Sequence, residues 1–183
     1  MLSDEALMLE FRAGSRAAFE EIFARYREPL YGFFRRRLDS RDRAEDLTQD
    51  TFVAVIRGAA RYEPRALLKT YLFGIAWKLL AAERRKANRM VRGGAEPASA
   101  AHQTSDEAAD EVLWVRQAVA RLDPGDEEVL MLREYEQLSY TEIAGLLRIP
   151  VNTVRSRLFR ARMGLKRNLE ARAEGEVSHV PNP

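Results

Sequence analysis

Asn152, Arg155, Ser156, Phe159 and Arg160 occur at helical spacing, with Arg157, Arg162, Lys166 and Arg167 close by, and no Asp or Glu interrupts Ile143 to Leu169. Such a face suits a nucleic-acid duplex. Guanidinium and ammonium groups neutralise phosphates and release counterions, and an Arg fork matches guanine O6 and N7. Ser156 can bond a phosphate or a base edge. A solvated basic helix is the plain alternative. Phe159 weighs against it, because solubility alone does not explain an aromatic among arginines, although the ring can also pack under the helix. Spacing does not sort these residues into those that position the duplex and those that read it.

The elements that must hold this face can be read from the residues before it. Ser139 and Glu142 form an S-x-x-E pair ahead of the apolar Ile143, so each side chain can satisfy an orphan amide at a helix start. Ile143, Ala144 and Leu147 form that helix's inner face. Ile149 and Pro150 break it, and Val154 and Leu158, four apart, form the inner face of the next. Ala144 lets the second helix approach closely. This is helix-turn-helix spacing, in which the second helix enters the major groove. Arg148 stands where the turn usually has Gly, and a left-handed backbone there costs roughly 1 kcal/mol. A strained or altered turn is expected.

Composition bounds the remainder. The chain has 183 residues, 46% hydrophobic, with net charge +2 and a pI near 9.0. Two small helical domains fit this better than one, and charge segregation matters more than the total. Cysteine is absent, which excludes thiol catalysis, disulfides and cysteine-ligated zinc. The two histidines lie in polar segments, so no metal site and no cofactor are expected. No apolar run is long enough to span a bilayer, and the acidic, amphipathic start is unlike a signal peptide. A cytoplasmic protein without membrane insertion is expected. No Ser-His-Asp set, phosphate-binding Gly loop or paired catalytic carboxylates are visible, so an enzyme is not expected.

Strand-like alternation never persists, and the predicted fold class is all-α. GGAEPASAAHQTSDEAADE, from Gly93 to Glu111, contains no Lys or Arg and reads as a flexible, acidic linker. The expected division is a first domain over 1–92, a linker over 93–110, a second domain over 111–172 and a frayed tail over 173–183. In the first domain, helices are predicted over Asp4–Ala13, over Arg16–Leu38 with an interruption or kink near Pro29, from a Ser40 cap to about Arg57, and from about Ala66 to Arg92. The third carries an apolar stripe of Leu47, Thr51, Phe52, Val55 and Ile56, leaving Asp46, Gln49 and Asp50 exposed. The fourth carries Leu68, Tyr71, Leu72, Ile75, Ala76 and Leu79.

AEDLTQDTFVAVIR resembles the region 2 helix of bacterial sigma factors that docks on the clamp of RNA polymerase. YLFGIAWKLLAAERRKANR resembles the following helix of that region, and LSYTEIAGLLRIPVNTVRSRLFRAR is similar to region 4 of the extracytoplasmic-function group. The matches cover most of the chain in order, and the short linker without an intervening helical domain separates that group from larger sigma factors. The resemblance implies sigma region 2 over the first domain and region 4 over the second. It implies a factor that brings core RNA polymerase, at clamp and flap, to promoter DNA and stabilises an open bubble, the polymerase supplying the chemistry. The linker would lie in a nucleic-acid channel.

Residue by residue, the polymerase-docking motif falls on Glu45, Asp46, Leu47, Gln49, Asp50 and Phe52, of which Leu47 and Phe52 also fit a core. The minus-ten element falls to the loop Gly58–Leu67, including Tyr62, and to Lys69, Tyr71, Trp77, Lys78, Arg84, Arg85 and Lys86. Rings interleaved with cations suit single-stranded DNA. Six residues apart on a helix, Tyr71 and Trp77 cannot both face one way, so one of them suits core packing. The terminal basic run also fits a solvated helix end favoured by the dipole. The minus-thirty-five element falls to Asn152, Thr153, Arg155, Ser156, Arg157, Phe159 and Arg160. An anti-sigma factor is an implied partner, consistent with the two-domain layout. Two other readings fit parts of the sequence: a helix-turn-helix regulator that recruits no polymerase, and a sigma-like decoy that binds an anti-sigma factor. The first leaves the docking-like helix unexplained; the second predicts that the basic residues of the recognition helix are missing.

Overall fold

Three serines set the first three helices. The Ser3, Ser15 and Ser40 side chains accept hydrogen bonds from the amides of Ala6, Ala18 and Arg43, opening α1 (Asp4–Arg12), α2 (Arg16–Arg35) and α3 (Arg41–Gly58). Each such cap contributes about 1 kcal/mol by satisfying an orphan donor. A 3-10 turn over Ala59–Arg61 follows α3, and α4 spans Leu68–Arg92. The second half contains α5 (Glu107–Ala120), α6 (Pro124–Glu134), α7 (Tyr140–Leu147) and α8 (Val151–Val177). This computed structural model describes residues 2–64, 67–92 and 107–177. The chain is all-α and divides into two units near residue 100.

In the first unit, α1 packs on α2 and α4, and α3 lies against α2 and α4. The interior is aromatic. Phe33 meets Phe34 and Phe73 edge to face, with centroids 5.1 and 5.6 Å apart, an arrangement that suits the ring quadrupoles. Ile22, Leu30, Val55, Leu68, Leu72, Ala76 and Leu80 complete it. Thr48 and Thr51 are buried, and their hydroxyls donate to the carbonyls of Ala44 and Leu47, 2.7 Å in each case, which removes the penalty for burying a hydroxyl.

One expectation for this unit is narrowed and one corrected. Of an interruption or kink near Pro29, the interruption is absent, because α2 runs through that residue. Proline forfeits a helical hydrogen bond, at about 3 kcal/mol, but Tyr26, Leu30, Phe33 and Phe34 are buried on both sides of it and carry the helix through. Ile56 is not part of the buried stripe and is 50% exposed, because the core-facing row of α3 runs through Leu47, Thr51 and Val55 to Ala59.

In the second unit α8 is the central element, packed by α5, α6 and α7. Its core is aliphatic: Val129, Leu132, Leu138, Ile143, Val154, Leu158 and Ala161 are buried. Two boundaries differ from expectation. α5 starts at Glu107, inside the expected linker, and α8 passes residue 172 to Val177. In both places Ala and Glu favour helix, joined after residue 170 by Arg172. Residues 93–106, most of the expected linker, and 178–183, most of the expected tail, lie outside the described residues.

Candidate nucleic-acid interface

The turn presenting the basic helix is built as its residues require. Ser139 Oγ accepts from the Glu142 amide at 3.2 Å, and Glu142 Oε2 accepts from the Ser139 amide at 2.7 Å, so the two orphan donors at the start of α7 satisfy one another's residues. Arg148 closes α7 in the left-handed region, at φ 56 and ψ 47. Its amide and that of Ile149 both donate to the Ala144 carbonyl, and Ala144 is buried beside α8. The turn keeps the shape a glycine would give it and carries the strain of a side chain.

On α8 the outward and inward faces separate cleanly. Val154, Leu158 and Ala161 face the core, while Asn152, Arg155, Ser156 and Phe159 are exposed and Thr153 is half-buried. Phe159 is 67% exposed, so it does not pack under the helix. Ser156 donates to the Thr153 carbonyl at 3.0 Å, and Arg155 makes a long contact of 3.4 Å with Asn152 Oδ1.

Arg160, expected to contact the duplex, is also engaged within its own unit. Its guanidinium donates to both carboxylate oxygens of Asp126, at 2.9 and 2.8 Å, and Asp126 is only 5% exposed. A buried carboxylate near the start of α6 needs a cation, and Arg160 supplies it. Arg157 is likewise drawn inward: a Cβ added to Gly125 would fall 2.9 Å from its Nη1. Arg162 bridges to Glu134 at 3.0 Å. Three cations of α8 therefore lean on α6.

In the first unit, Glu45, Asp46, Gln49 and Asp50 lie exposed along α3, while Leu47 and Phe52 are buried. Leu47 and Phe52 are thus core residues, a correction to their place in a contact set: Phe52 packs against Phe19 and Phe23. Asp46 is bonded by Arg43 at 2.9 Å, and Arg43 also grips Glu83 on α4 through two bonds of 3.0 and 2.7 Å. Those bonds hold the Glu83 carboxyl below its ordinary range.

Tyr62 is a second correction. It is 3% exposed, with its hydroxyl unpaired among the described residues, so it offers no face to a base. Its ring stands edge-on beneath Tyr71, centroids 5.3 Å apart. Burial pushes both phenols up, keeping them neutral. Lys69, Tyr71 and Trp77 are half-buried, and Lys78, Arg84, Arg85 and Lys86 are exposed. Residues 65 and 66 of the preceding loop lie outside the described residues.

The first unit matches the family described as sigma-70 region 2 over residues 22–90, and the second matches sigma-70, region 4 over residues 113–165. The sigma factor CarQ of Myxococcus xanthus is 36% identical over 84% of this chain and 90% of its own length. The chain belongs to the sigma-70 family. Within it, this sigma factor is of the extracytoplasmic-function group. The ECF sigma-E factor of Haemophilus influenzae is 29% identical over 92% of this chain and 96% of its own. Among solved structures, the sigma factor RpoE in complex with the anti-sigma factor NepR from Bartonella quintana aligns with a TM-score of 0.70 at 25% identity, covering 83% and 96% of the two chains.

Some residues of this sigma factor that shape its surfaces were missed in the sequence. Val53 and Ile56 are exposed on α3 beside the acidic set, and Phe23 of α2 is 38% exposed next to Phe52. The helical offsets 46, 49, 53 and 56 could have shown that Asp46 and Gln49 share one face with Val53 and Ile56. Asp126 gave no signal, because only the fold brings it to Arg160. Among the described residues, no group of three or more acidic, His or Cys side chains could hold a metal ion, and no helix is long and apolar enough to cross a membrane.

Proposed function

We propose that this sigma factor binds core polymerase through the outer face of α3, captures the single-stranded minus-ten element with α4 and the loop before it, and holds the minus-thirty-five duplex on α8. Glu45, Asp46, Gln49 and Asp50, with Val53 and Ile56, form the docking face on the polymerase clamp, and the second domain meets the flap. Tyr71 and Trp77 are the stacking rings, with Lys69, Lys78, Arg84, Arg85 and Lys86 on the phosphates; Tyr62 supports Tyr71 from below. On α8, Arg155, Ser156 and Phe159, with Asn152 and Thr153, meet the duplex, while Arg157 and Arg160 orient the helix from its α6 side. The chain acts in the cytoplasm, where polymerase is, as two domains over 1–92 and 111–172 whose linker lies along the nucleic-acid path. It performs no chemistry of its own. An anti-sigma factor is its regulatory partner, a reading supported by a structurally similar sigma factor solved with an anti-sigma factor.

The observation that carries this reading is the outward set on α8. A regulator that recruits no polymerase would share it, but has no use for the mixed acidic and apolar face of α3. A decoy has no use for the cations of α8. The test is transcription from a library of randomised promoters with purified core polymerase. The expected outcome is enrichment of transcripts sharing two spaced upstream elements. Absence of transcripts with a folded protein and active core would overturn the reading, and tight site-specific binding by the free chain would then point to the plain regulator.

A further inference from the structure

α6 meets the recognition helix through a buried carboxylate. Asp126, in the first turn of α6, is 5% exposed, whereas the Arg160 side chain paired with it is 56% exposed. The pair is side-on: Nε donates to one carboxylate oxygen at 2.9 Å and Nη2 to the other at 2.8 Å. Those two nitrogens form one edge of the guanidinium. The other edge, Nη1 with the second hydrogen of Nη2, has no partner among the described residues, and an arginine fork holds its donors in fixed geometry.

Arg160 stands one turn past Ser156 and beside Phe159, so it continues the outward stripe of α8 on the flank toward α6. Asp126 is fixed in turn. Its amide donates to the Asp123 carbonyl at 2.9 Å, at a helix start where a carboxylate is favoured. Swinging the guanidinium away would break two charge-assisted bonds and leave a buried carboxylate unpaired.

We infer that Asp126 is a positioning residue for minus-thirty-five readout, holding Arg160 by its inner edge so that only the outer edge can meet a base pair. The inference rests on the reading of α8 given above and gives Arg160 a task besides holding α8 to α6. The outer edge carries donors alone. It matches two adjacent acceptors, which guanine presents in O6 and N7, whereas adenine offers an amino donor in place of O6. An arginine without the carboxylate can turn from adenine to a nearby phosphate and recover a bond, which narrows the gap between the right base and the wrong one. Held by Asp126 it cannot turn, and the wrong base leaves its donors unpaired. The penalty falls on the wrong base alone.

The test uses holoenzyme assembled from the full chain and core polymerase, with promoter fragments whose minus-thirty-five element is changed one base pair at a time. The parent should prefer guanine at one position by about tenfold or more, and Arg160→Ala should abolish that preference. Asp126→Asn, which keeps the shape and loses the second acceptor, should lower it about three- to tenfold at that position and leave the other positions as they were. The two substitutions together should cost no more there than Arg160→Ala by itself. A folded Asp126→Asn variant with the parent's preference, or one that binds every element more weakly by the same factor, overturns the inference and leaves the reading of α8 standing. Arg160→Lys keeps a cation on Asp126 without the outer edge, so retention of the preference by that variant overturns the inference even where Asp126→Asn fails to fold. A parent holoenzyme indifferent to every minus-thirty-five base pair overturns the reading of α8 and the inference with it.

Discussion

The two units solve one problem with different materials. The first fills its interior with rings, Phe33, Phe34 and Phe73 among them, and ties its helices across the surface with Arg25–Asp4 and Arg43–Glu83. The second fills its interior with aliphatic side chains and leaves its sole phenylalanine, Phe159, in the open. A residue type thus has opposite meanings in the two halves. Phe33, Phe34 and Phe73 hold the first unit's core together, whereas Phe159 of the second stands in solvent among arginines and adds little to that unit's packing.

The largest separation between the halves should come from Phe33→Ala. Removing a fully buried ring costs about 3–5 kcal/mol, so denaturant melting should show the first unit's transition collapsing while the second unit's stays in place. A coincident loss in both would mean that the units do not fold independently. Arg148→Gly acts on the second unit alone. Relieving a left-handed arginine should stabilise it by about 1 kcal/mol, a rise of several degrees in its melting temperature; an unchanged value would mean that the turn carries no strain.

Smaller still is the acid response of the first unit. Because the Arg43 bonds hold the Glu83 carboxyl below its ordinary range, the pair's contribution is fully present above the unfolded carboxyl's pKa and is lost as pH falls through the lower folded one. Glu83→Gln should flatten that acid limb of a stability profile, and an identical profile would show that the pair contributes nothing. The smallest stability effect belongs to Phe159→Ala. With the ring exposed, melting should move by less than about 0.5 kcal/mol, while binding to minus-thirty-five duplex weakens. Destabilisation without weaker binding would reverse the contrast between the halves.

This contrast also explains what could be read in advance. The capping box at Ser139, the left-handed Arg148 and the inner face of α8 are local, and local chemistry is legible in a sequence. Helix positions in the first unit were legible for the same reason. Tyr62 was not: its ring looks available in a loop peptide and is covered only once Tyr71 is laid over it. Arg160 was equally opaque, since Asp126 is 34 positions away and only the crossing of α6 and α8 brings them together. The exposure of Ile56 follows from which row of α3 meets α2 and α4, a choice that an amphipathic stripe leaves open by one residue.

The Asp126–Arg160 pair bears on how the protein travels as well as on how it docks. An arginine whose charge is matched internally expels fewer ions when the helix meets a phosphate backbone, and each such contact steepens the salt dependence of binding by about 0.9 in log–log slope. Asp126→Asn should raise that slope on random-sequence DNA and lengthen the protein's stay there. If α8 meets DNA as proposed, cations held against α6 make it grip the wrong DNA less and leave it sooner in the search for a promoter.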